Sequence, residues 1–329
     1  MSGGTAGDAL RRTIDLAQRA EAFGHARYWV AEHHFTPGVA SSQPALLLGQ
    51  IAAHTSRIRL GSGAVQTGHQ TPLTIVEQFG LLDALHPGRF DLGLGRSGQR
   101  RTSSSSPASA AEPEPARTVD GLLIPAPFSF APLLASARFA LFARLLQQPG
   151  AESPDLPEVL ADIQALLAGP ITDDEGNQAR AVPGLGADVE IWILGSSGGL
   201  SAQVAGERGL PFAANYHVAP AAVLEAVEAY RAAFKPSGVL AEPKVMVSAD
   251  VVVADDDETA RRLASPYRHW VRSIRTGQGA IPFPSESDAA ALDWTDDVAL
   301  TISRRRRRPS SPPSSPGVPG PRRGRARCR

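Results

Sequence analysis

The chain has 329 residues, of which 42% are hydrophobic and 20% charged, and this composition can supply one large core or two smaller ones. The charge is unevenly placed: residues 304–329 contain ten arginines and no acidic residue, which leaves 23 basic against 33 acidic residues in the body. A body with a net charge of −10 argues against nucleic-acid binding. The single cysteine, Cys328, excludes an internal disulfide framework and a cysteine-based metal site.

No apolar run reaches the roughly 18 residues that cross a bilayer, and the first twenty residues lack a signal-peptide pattern. We therefore expect a soluble cytoplasmic protein that contacts no membrane.

The first half of the chain alternates between strand-like and helix-like segments. A helix is predicted from Asp8 to Gly24, because apolar residues recur at helical spacing and glycine suits the position after a helix. Strands are then predicted at Tyr28–Ala31, 58–65 and 89–95, and helices at 42–54 and 72–85. The order strand, helix, strand is typical of parallel βα units.

The second half of the chain continues the alternation, after a middle stretch with few clear helix or strand patterns. Residues 97–118 are rich in Ser, Pro, Ala and Arg and predict a mobile loop, and the apolar run 128–146 favours a helix after Pro132. Helices are also predicted at 155–167, 200–206, 221–234 and from 255 toward 275, with strands at 190–194, 211–214 and 244–253, the last being the longest.

After Ser303 the chain carries five consecutive arginines and then Ser, Pro and more Arg. One interpretation is a tail for a nucleic acid or an acidic partner. We favour a second, that the segment has left its ancestral reading frame. Residues 304–329 cannot pack a core in either case, so we expect a barrel domain over 1–303, with a mobile insertion at about 97–150, and a disordered tail.

Polar residues follow the first predicted strand at once, as Glu32, His33 and His34. Adjacent residues of a strand point to opposite faces, so only one of the two histidines can face the sheet interior. A histidine here most often packs and bonds a backbone carbonyl, but its pKa also suits proton transfer. Zinc binding is a weak alternative because adjacent histidines diverge and no third ligand stands nearby.

Two later segments could bind an anion. Arg96 follows a predicted strand, where its guanidinium could form two hydrogen bonds to a phosphate or else a surface ion pair. Gly195, Ser196, Ser197, Gly198 and Gly199 stand between a strand and a helix, so backbone N–H groups at the helix start could receive a phosphate. The run is neither a dinucleotide fingerprint nor a P-loop.

Four segments together resemble the bacterial luciferase-like monooxygenases: WVAEHHFTP (29–37), IRLGSGAV (58–65), EQFGLLDALHPGRFDLGLGRSG (77–98) and residues 191–212. The resemblance spans roughly residues 5–300. It implies an α/β fold, a TIM-type (β/α)₈ barrel of luciferase-like type. Residues 2–5 match the loop after the family's first strand, so we expect that strand and the last βα elements to be lacking.

The resemblance also implies roles for individual residues. His33 matches the family's active-site histidine, and Gly63 and Ala64 match a non-prolyl cis peptide that supports the flavin ring. Arg96 matches the phosphate-binding arginine. The segment Gly195, Ser196, Ser197 and Gly198 matches the rest of the phosphate site, although Gly195 stands where luciferase has an acidic residue. His69, Asn215, Tyr216 and His217 are candidates for the substrate side.

The expected activity is therefore a flavin-dependent monooxygenase that uses reduced FMN and O₂ to oxygenate a small organic substrate. A flavin reductase would supply the cofactor, and the helix after Pro72 resembles the family's dimer surface, which suggests a homodimer. Three alternatives stay open: a deazaflavin-dependent (F-420 type) oxidoreductase on the same barrel, a non-catalytic flavin-binding relative, and a truncated, unstable gene product.

Overall fold

The computed structural model describes residues 4–96, 115–129, 131–152 and 154–290. The predicted tail at 304–329 and most of the Ser/Pro-rich stretch at 97–118 lie outside these residues. The first elements are α1 (Ala6–Ala22), β1 (Arg27–Val30), α2 (Pro44–Ala52), β2 (Arg59–Ser62), β3 (Val65–Gln66), α3 (Pro72–Leu85) and β4 (Phe90–Gly95).

The middle of the chain holds β5 (Arg117–Val119), β6 (Leu122–Ile124), α4 (Ala131–Leu134), α5 (Ala137–Leu146), α6 (Leu156–Ala168), β7 (Ile171–Thr172) and β8 (Gln178–Ala179). The last elements are β9 (Val189–Gly195), α7 (Leu200–Glu207), β10 (Phe212–Asn215), a 3₁₀ turn (Pro220–Ala222), α8 (Val223–Ala233), β11 (Val245–Ser248), α9 (Asp257–Arg275) and α10 (Glu286–Ala290). None of the helices within the described ranges has the length and apolar character that a membrane crossing requires.

Side-chain caps decide where several helices begin. The Thr5 hydroxyl accepts a hydrogen bond from the Asp8 backbone N–H, and the Thr5 N–H donates to the Asp8 carboxylate, so the two residues form a capping box. Helix α1 therefore begins at Ala6, two residues before the predicted start. Asp155 and Glu158 cap α6 in the same way.

Seven strands form one parallel sheet in the order β1, β2, β4, β9, β10, β11, with β3 also paired to β4. This arrangement is an arc of a (β/α)₈ barrel and confirms the predicted fold class. The helices pack on the outer face, where Phe79, Phe90, Leu160 and Phe212 are fully buried. Strand β4 is buried along its whole length, as expected for a parallel strand covered on both faces.

Two strand predictions were wrong in their extent. The segment 58–65 is two strands, because the partner on β4 shifts by one residue between Gly61, opposite Asp91, and Val65, opposite Leu94. This shift is a bulge. The segment 244–253 is a strand only at Val245–Ser248, because β10 offers it four partners, and β9, with seven residues, is the longest described strand.

The inner face carries charged residues at the amino ends of the strands. Asp91 is fully buried; its carboxylate accepts hydrogen bonds from Arg59 Nε and Trp29 Nε1, both at 2.8 Å, and lies 2.6 Å from Arg27 Nη1. Glu190 pairs with Arg27 at 2.8 Å and with Lys244 at 2.7 Å. These ion pairs occupy the edge opposite to the predicted site, so we assign them a structural role.

Candidate functional site

The predicted site residues follow the carboxyl ends of neighbouring parallel strands. His33 follows β1, the Gly63–Ala64 peptide separates β2 from β3, and Arg96 follows β4. The glycine turn 195–199 follows β9 and His217 follows β10. Since the strands are parallel, all five lie at one edge of the sheet, where barrel enzymes carry their chemistry.

His33 lies at this edge of the sheet, which we call the mouth of the barrel. Its backbone N–H donates to the Ser41 carbonyl at 2.9 Å, which fixes the loop, while its side chain stays accessible to solvent. The surrounding protein atoms still desolvate the ring and lower its pKa, and the neighbouring His34 and His217 lower it further. His33 is therefore held as a neutral imidazole near pH 7, the form that accepts a proton.

His34 turns away from His33. Its Nε2 lies 2.8 Å from the Glu32 carboxylate, which is 1% exposed. The second Glu32 oxygen accepts the Gln66 backbone N–H at 3.0 Å. Glu32 is thus a positioning residue between β1 and β3.

The Gly63–Ala64 peptide bond is cis in the structure, as the family resemblance implied. A Cβ atom at Gly63 would lie 3.4 Å from the Trp29 ring, and one at Gly95 would lie 3.0 Å from the Ala64 Cβ. Residues 63 and 64 are therefore closely packed between the inner tryptophan and strand β4.

Arg96 extends from the end of β4 toward the start of α6. Its Nε atom lies 3.8 Å from an Asp155 carboxylate oxygen, which is too long for a hydrogen bond. The Nε atom is buried and finds no hydrogen-bond partner among the described residues. A buried guanidinium donor without an acceptor fits an anion such as a phosphate.

The glycine turn lies beside Arg96, because β9 pairs with β4 and Leu94 stands opposite Ile193. Gly199 caps α7 without a side-chain hydrogen bond, and the Ser197 hydroxyl accepts the Gly199 N–H at 3.4 Å. A Cβ at Gly195 would lie 3.0 Å from the Phe212 ring, so Phe212 fills the space that a larger residue would need. The turn and Arg96 together could hold one phosphate group.

The sequence model of the family described as luciferase-like monooxygenase matches residues 1–120 and 139–311. This chain belongs to that family.

Two relatives cover most of the chain. The uncharacterized protein YvbT of Bacillus subtilis (strain 168) is 39% identical over 287 residues, which are 87% of this chain and 73% of YvbT. A luciferase-like monooxygenase of Escherichia coli (strain K12) is 34% identical over 286 residues, with the same coverage of 87% and 73%.

Among solved structures, apo-MsnO8 has 29% identity and a TM-score of 0.68 over 88% of this chain and 74% of its own. The oxygenating constituent of a 3,6-diketocamphane monooxygenase in complex with FMN has 18% identity and a TM-score of 0.55, over 88% of this chain and 78% of its own. At that identity the likeness shows the fold of this luciferase-like protein.

The residues that were candidates for the substrate side of this luciferase-like chain lie in different surroundings. His217 lies in the mouth, where its Nδ1 lies 2.6 Å from the Ser248 hydroxyl. The Tyr216 side chain is buried, and its hydroxyl donates to the Leu123 carbonyl at 2.7 Å, so it anchors the β5–β6 hairpin. His69 lies 5.6 Å from His34, ring centre to ring centre, in an edge-to-face contact.

Two residues beside His69, Gln66 and Gln70, were not predicted from the sequence. The Gln66 side chain joins Glu32 to His69, and Gln70 presents a buried oxygen without a hydrogen-bond partner in the described part of the chain. The polar run that begins at Gln66, directly after the predicted strand 58–65, was the available signal. Across the described ranges, no three His, Cys, Asp or Glu side chains are grouped so that they could hold a metal ion.

Proposed function

We propose that this protein is a flavin-dependent monooxygenase that uses reduced FMN and O₂ to oxygenate a small organic substrate. The buried Arg96 Nε lies next to the glycine turn and has no hydrogen-bond acceptor among the described residues. It carries the proposal because it is a ready partner for the FMN phosphate. Membership of the family and the FMN complex of a fold neighbour support the same cofactor.

Bound reduced flavin supplies the activation of O₂. The residues of this chain bind and orient the reactants. Arg96 and the segment Gly195, Ser196, Ser197 and Gly198 hold the phosphate, and the Gly63–Ala64 segment supports the ring. His33, kept neutral by desolvation, accepts a proton at a ring nitrogen.

Two partners belong to the proposal. A separate flavin reductase supplies reduced FMN. A second copy of the chain covers the exposed leucines on α2 and α3, of which Leu46 is 73%, Leu81 53% and Leu85 70% exposed. Light scattering would report a dimer, and a monomer at micromolar concentration would contradict this part.

The cofactor is tested by fluorescence titration of purified protein with FMN and with riboflavin, which lacks the phosphate. We expect FMN to bind more tightly. Arg96→Ala should weaken FMN binding by about 10- to 100-fold, the range for hydrogen bonds to a charged group, and leave riboflavin binding unchanged. The matched control is Arg180→Ala, since Arg180 is exposed.

Equal affinities of the wild-type protein for FMN and riboflavin would contradict the phosphate clamp. Binding of an F-420 type deazaflavin in place of FMN would favour the deazaflavin-dependent oxidoreductase instead. One fold neighbour is an F420-dependent secondary alcohol dehydrogenase in complex with an F420-acetone adduct, with 15% identity and a TM-score of 0.52 over 86% of this chain and 78% of its own. Substrate-dependent O₂ consumption with photoreduced FMN then tests the oxygenation itself.

A further inference from the structure

A cavity of about 430 Å³ opens on the side of β1 toward which His34 turns. We call it the side cavity. His69 and Gln70, in the loop between β3 and α3, lie on its polar side, and Leu145 and Leu146 at the end of α5 lie on its apolar side. It is thus adjacent to the mouth that holds His33 but lined by different residues.

The hydrogen bonds around Gln66 fix the orientation of the His69 ring. Gln66 Nε2 donates to the Glu32 carbonyl at 2.6 Å, so its amide oxygen is the atom that faces His69 Nε2, at 2.8 Å. An amide oxygen can only accept. His69 Nε2 must therefore carry the hydrogen.

The other ring nitrogen of His69 is then a lone-pair acceptor as long as the ring is neutral. Burial lowers the pKa of His69 and the neighbouring His34 lowers it further, whereas the Gly68 backbone opposes the shift because it would accept a hydrogen bond from the protonated ring. The Nδ1 atom is buried and has no hydrogen-bond partner within the described ranges, and the same holds for Gln70 Oε1. Buried acceptors of this kind are normally satisfied, because desolvation without a partner is costly.

The chemistry of the side cavity selects one kind of ligand. Both buried atoms without a partner among the described residues are acceptors, so a ligand that meets them has to bring a hydrogen-bond donor. Each Glu32 carboxylate oxygen already accepts a hydrogen bond, from His34 and from the Gln66 backbone, and the side chain is only 1% exposed, so the carboxylate offers little surface to a cation. The leucine pair of α5 offers an apolar contact beside these acceptors.

We propose that the side cavity binds the substrate through an uncharged hydrogen-bond donor, an amide N–H or a hydroxyl, placed on His69 Nδ1 and Gln70 Oε1, with an attached alkyl group against Leu145 and Leu146. As a substrate subsite this assignment rests on the proposed function. As a ligand site it stands on the contacts of the cavity alone.

The first test is an NMR titration of protein labelled with ¹⁵N-histidine, with N-hexylacetamide as the probe. We expect a saturable shift of the His69 Nδ1 resonance. N-hexyl-N-methylacetamide, which lacks the N–H donor, should bind about tenfold more weakly, because the buried acceptor stays unsatisfied. Equal binding of the two amides, or no shift with either, would overturn the proposal.

Two substitutions of His69 separate its two nitrogens. Asn places an amide oxygen near the position of Nδ1, whereas Gln reaches Gln66 as Nε2 does but lacks the Nδ1 acceptor. His69→Asn should keep N-hexylacetamide binding within about threefold, measured by calorimetry, and His69→Gln should lose about tenfold. The reverse order would show that His69 acts only through Gln66 and would contradict the proposal.

FMN binding measured on the same variants distinguishes the two proposals. Both variants should bind FMN as the wild-type protein does, since His69 does not contact the Arg96 clamp. If the protein binds N-hexylacetamide more tightly than N-hexyl-N-methylacetamide but binds no FMN, the ligand site stands and the monooxygenase proposal is refuted. If the protein binds FMN normally but binds the two amides equally well, the proposed function stands and the subsite is refuted.

Discussion

His33 and His217 follow strands β1 and β10, which are separated by three strands in the sheet, and yet the charge of His217 lowers the pKa of His33. In a flat sheet four strand spacings would separate the two residues by about 19 Å, a distance at which solvent and salt screen charges. The two histidines are close because the sheet curls. The curvature therefore builds the site.

His33→Asn should lower kcat roughly 100- to 10,000-fold, the usual effect of removing a general base, and leave FMN affinity unchanged. The measurement is substrate-dependent O₂ consumption with reduced FMN, and the control is His25→Asn, an exposed histidine outside the site. A loss of FMN binding instead would mean that His33 holds the cofactor.

The pH profile of kcat should show an acid limb below pH 6.5, the ordinary histidine pKa. Its position follows from the sign of the shift: a lowered pKa keeps the base neutral to lower pH. His217→Asn removes one of the charges that lower the pKa of His33 and should move the limb upward. A limb above pH 7 in the wild-type protein would contradict this assignment.

Stability should fall as the pH decreases below about 6.5. His33, His69 and His217 all have lowered pKa values, each mainly because surrounding protein atoms desolvate the ring. The unfolded chain then binds more protons than the folded chain. The contribution of these histidines to the free energy of unfolding is therefore fully present above pH 6.5 and is lost as the pH falls through their lowered pKa values. Urea denaturation at pH 7.5, 6.0 and 5.0 measures this, and a triple variant without the three histidines should show a flatter profile.

Gly61→Ala should lower the free energy of unfolding by about 1–3 kcal/mol, the usual effect of overpacking. The added Cβ would lie 2.5 Å from Trp29 Nε1 and 2.8 Å from the Asp91 Cβ, and the Trp29 indole is held by its hydrogen bond to Asp91. The control is Gly238→Ala, where nothing lies within 4 Å. Urea denaturation of both variants measures the free energy of unfolding, and an unchanged midpoint for Gly61→Ala would contradict the tight packing around Gly61.

Asp91→Asn should destabilise the fold by about 3–5 kcal/mol, because Arg27 and Arg59 would lose their buried counter-charge. The comparison variant is Asp15→Asn, whose ion pair with Arg19 is exposed on both sides and should matter by less than about 1 kcal/mol. Similar thermal midpoints for the two variants would refute the structural role of the ion pairs that Asp91 forms with Arg27 and Arg59.

The amino-acid sequence by itself determined the alternation of strands and helices, the parallel sheet and the positions of His33, Arg96 and the glycine turn at strand ends. These properties depend on residues close together in the chain: a cap three residues from its partner, as in Asp155 and Glu158, or apolar residues at regular spacing. Local patterns of this kind are visible without the fold.

Only the tertiary structure decided which side chains meet. It separates His34 from His33, brings His217 near His33, and breaks the strand at 63–64. It also limits β11 to Val245–Ser248, since β10 provides no further partners. These outcomes depend on sheet curvature and on pairing between distant segments, for which neighbouring residues in the sequence contain no information.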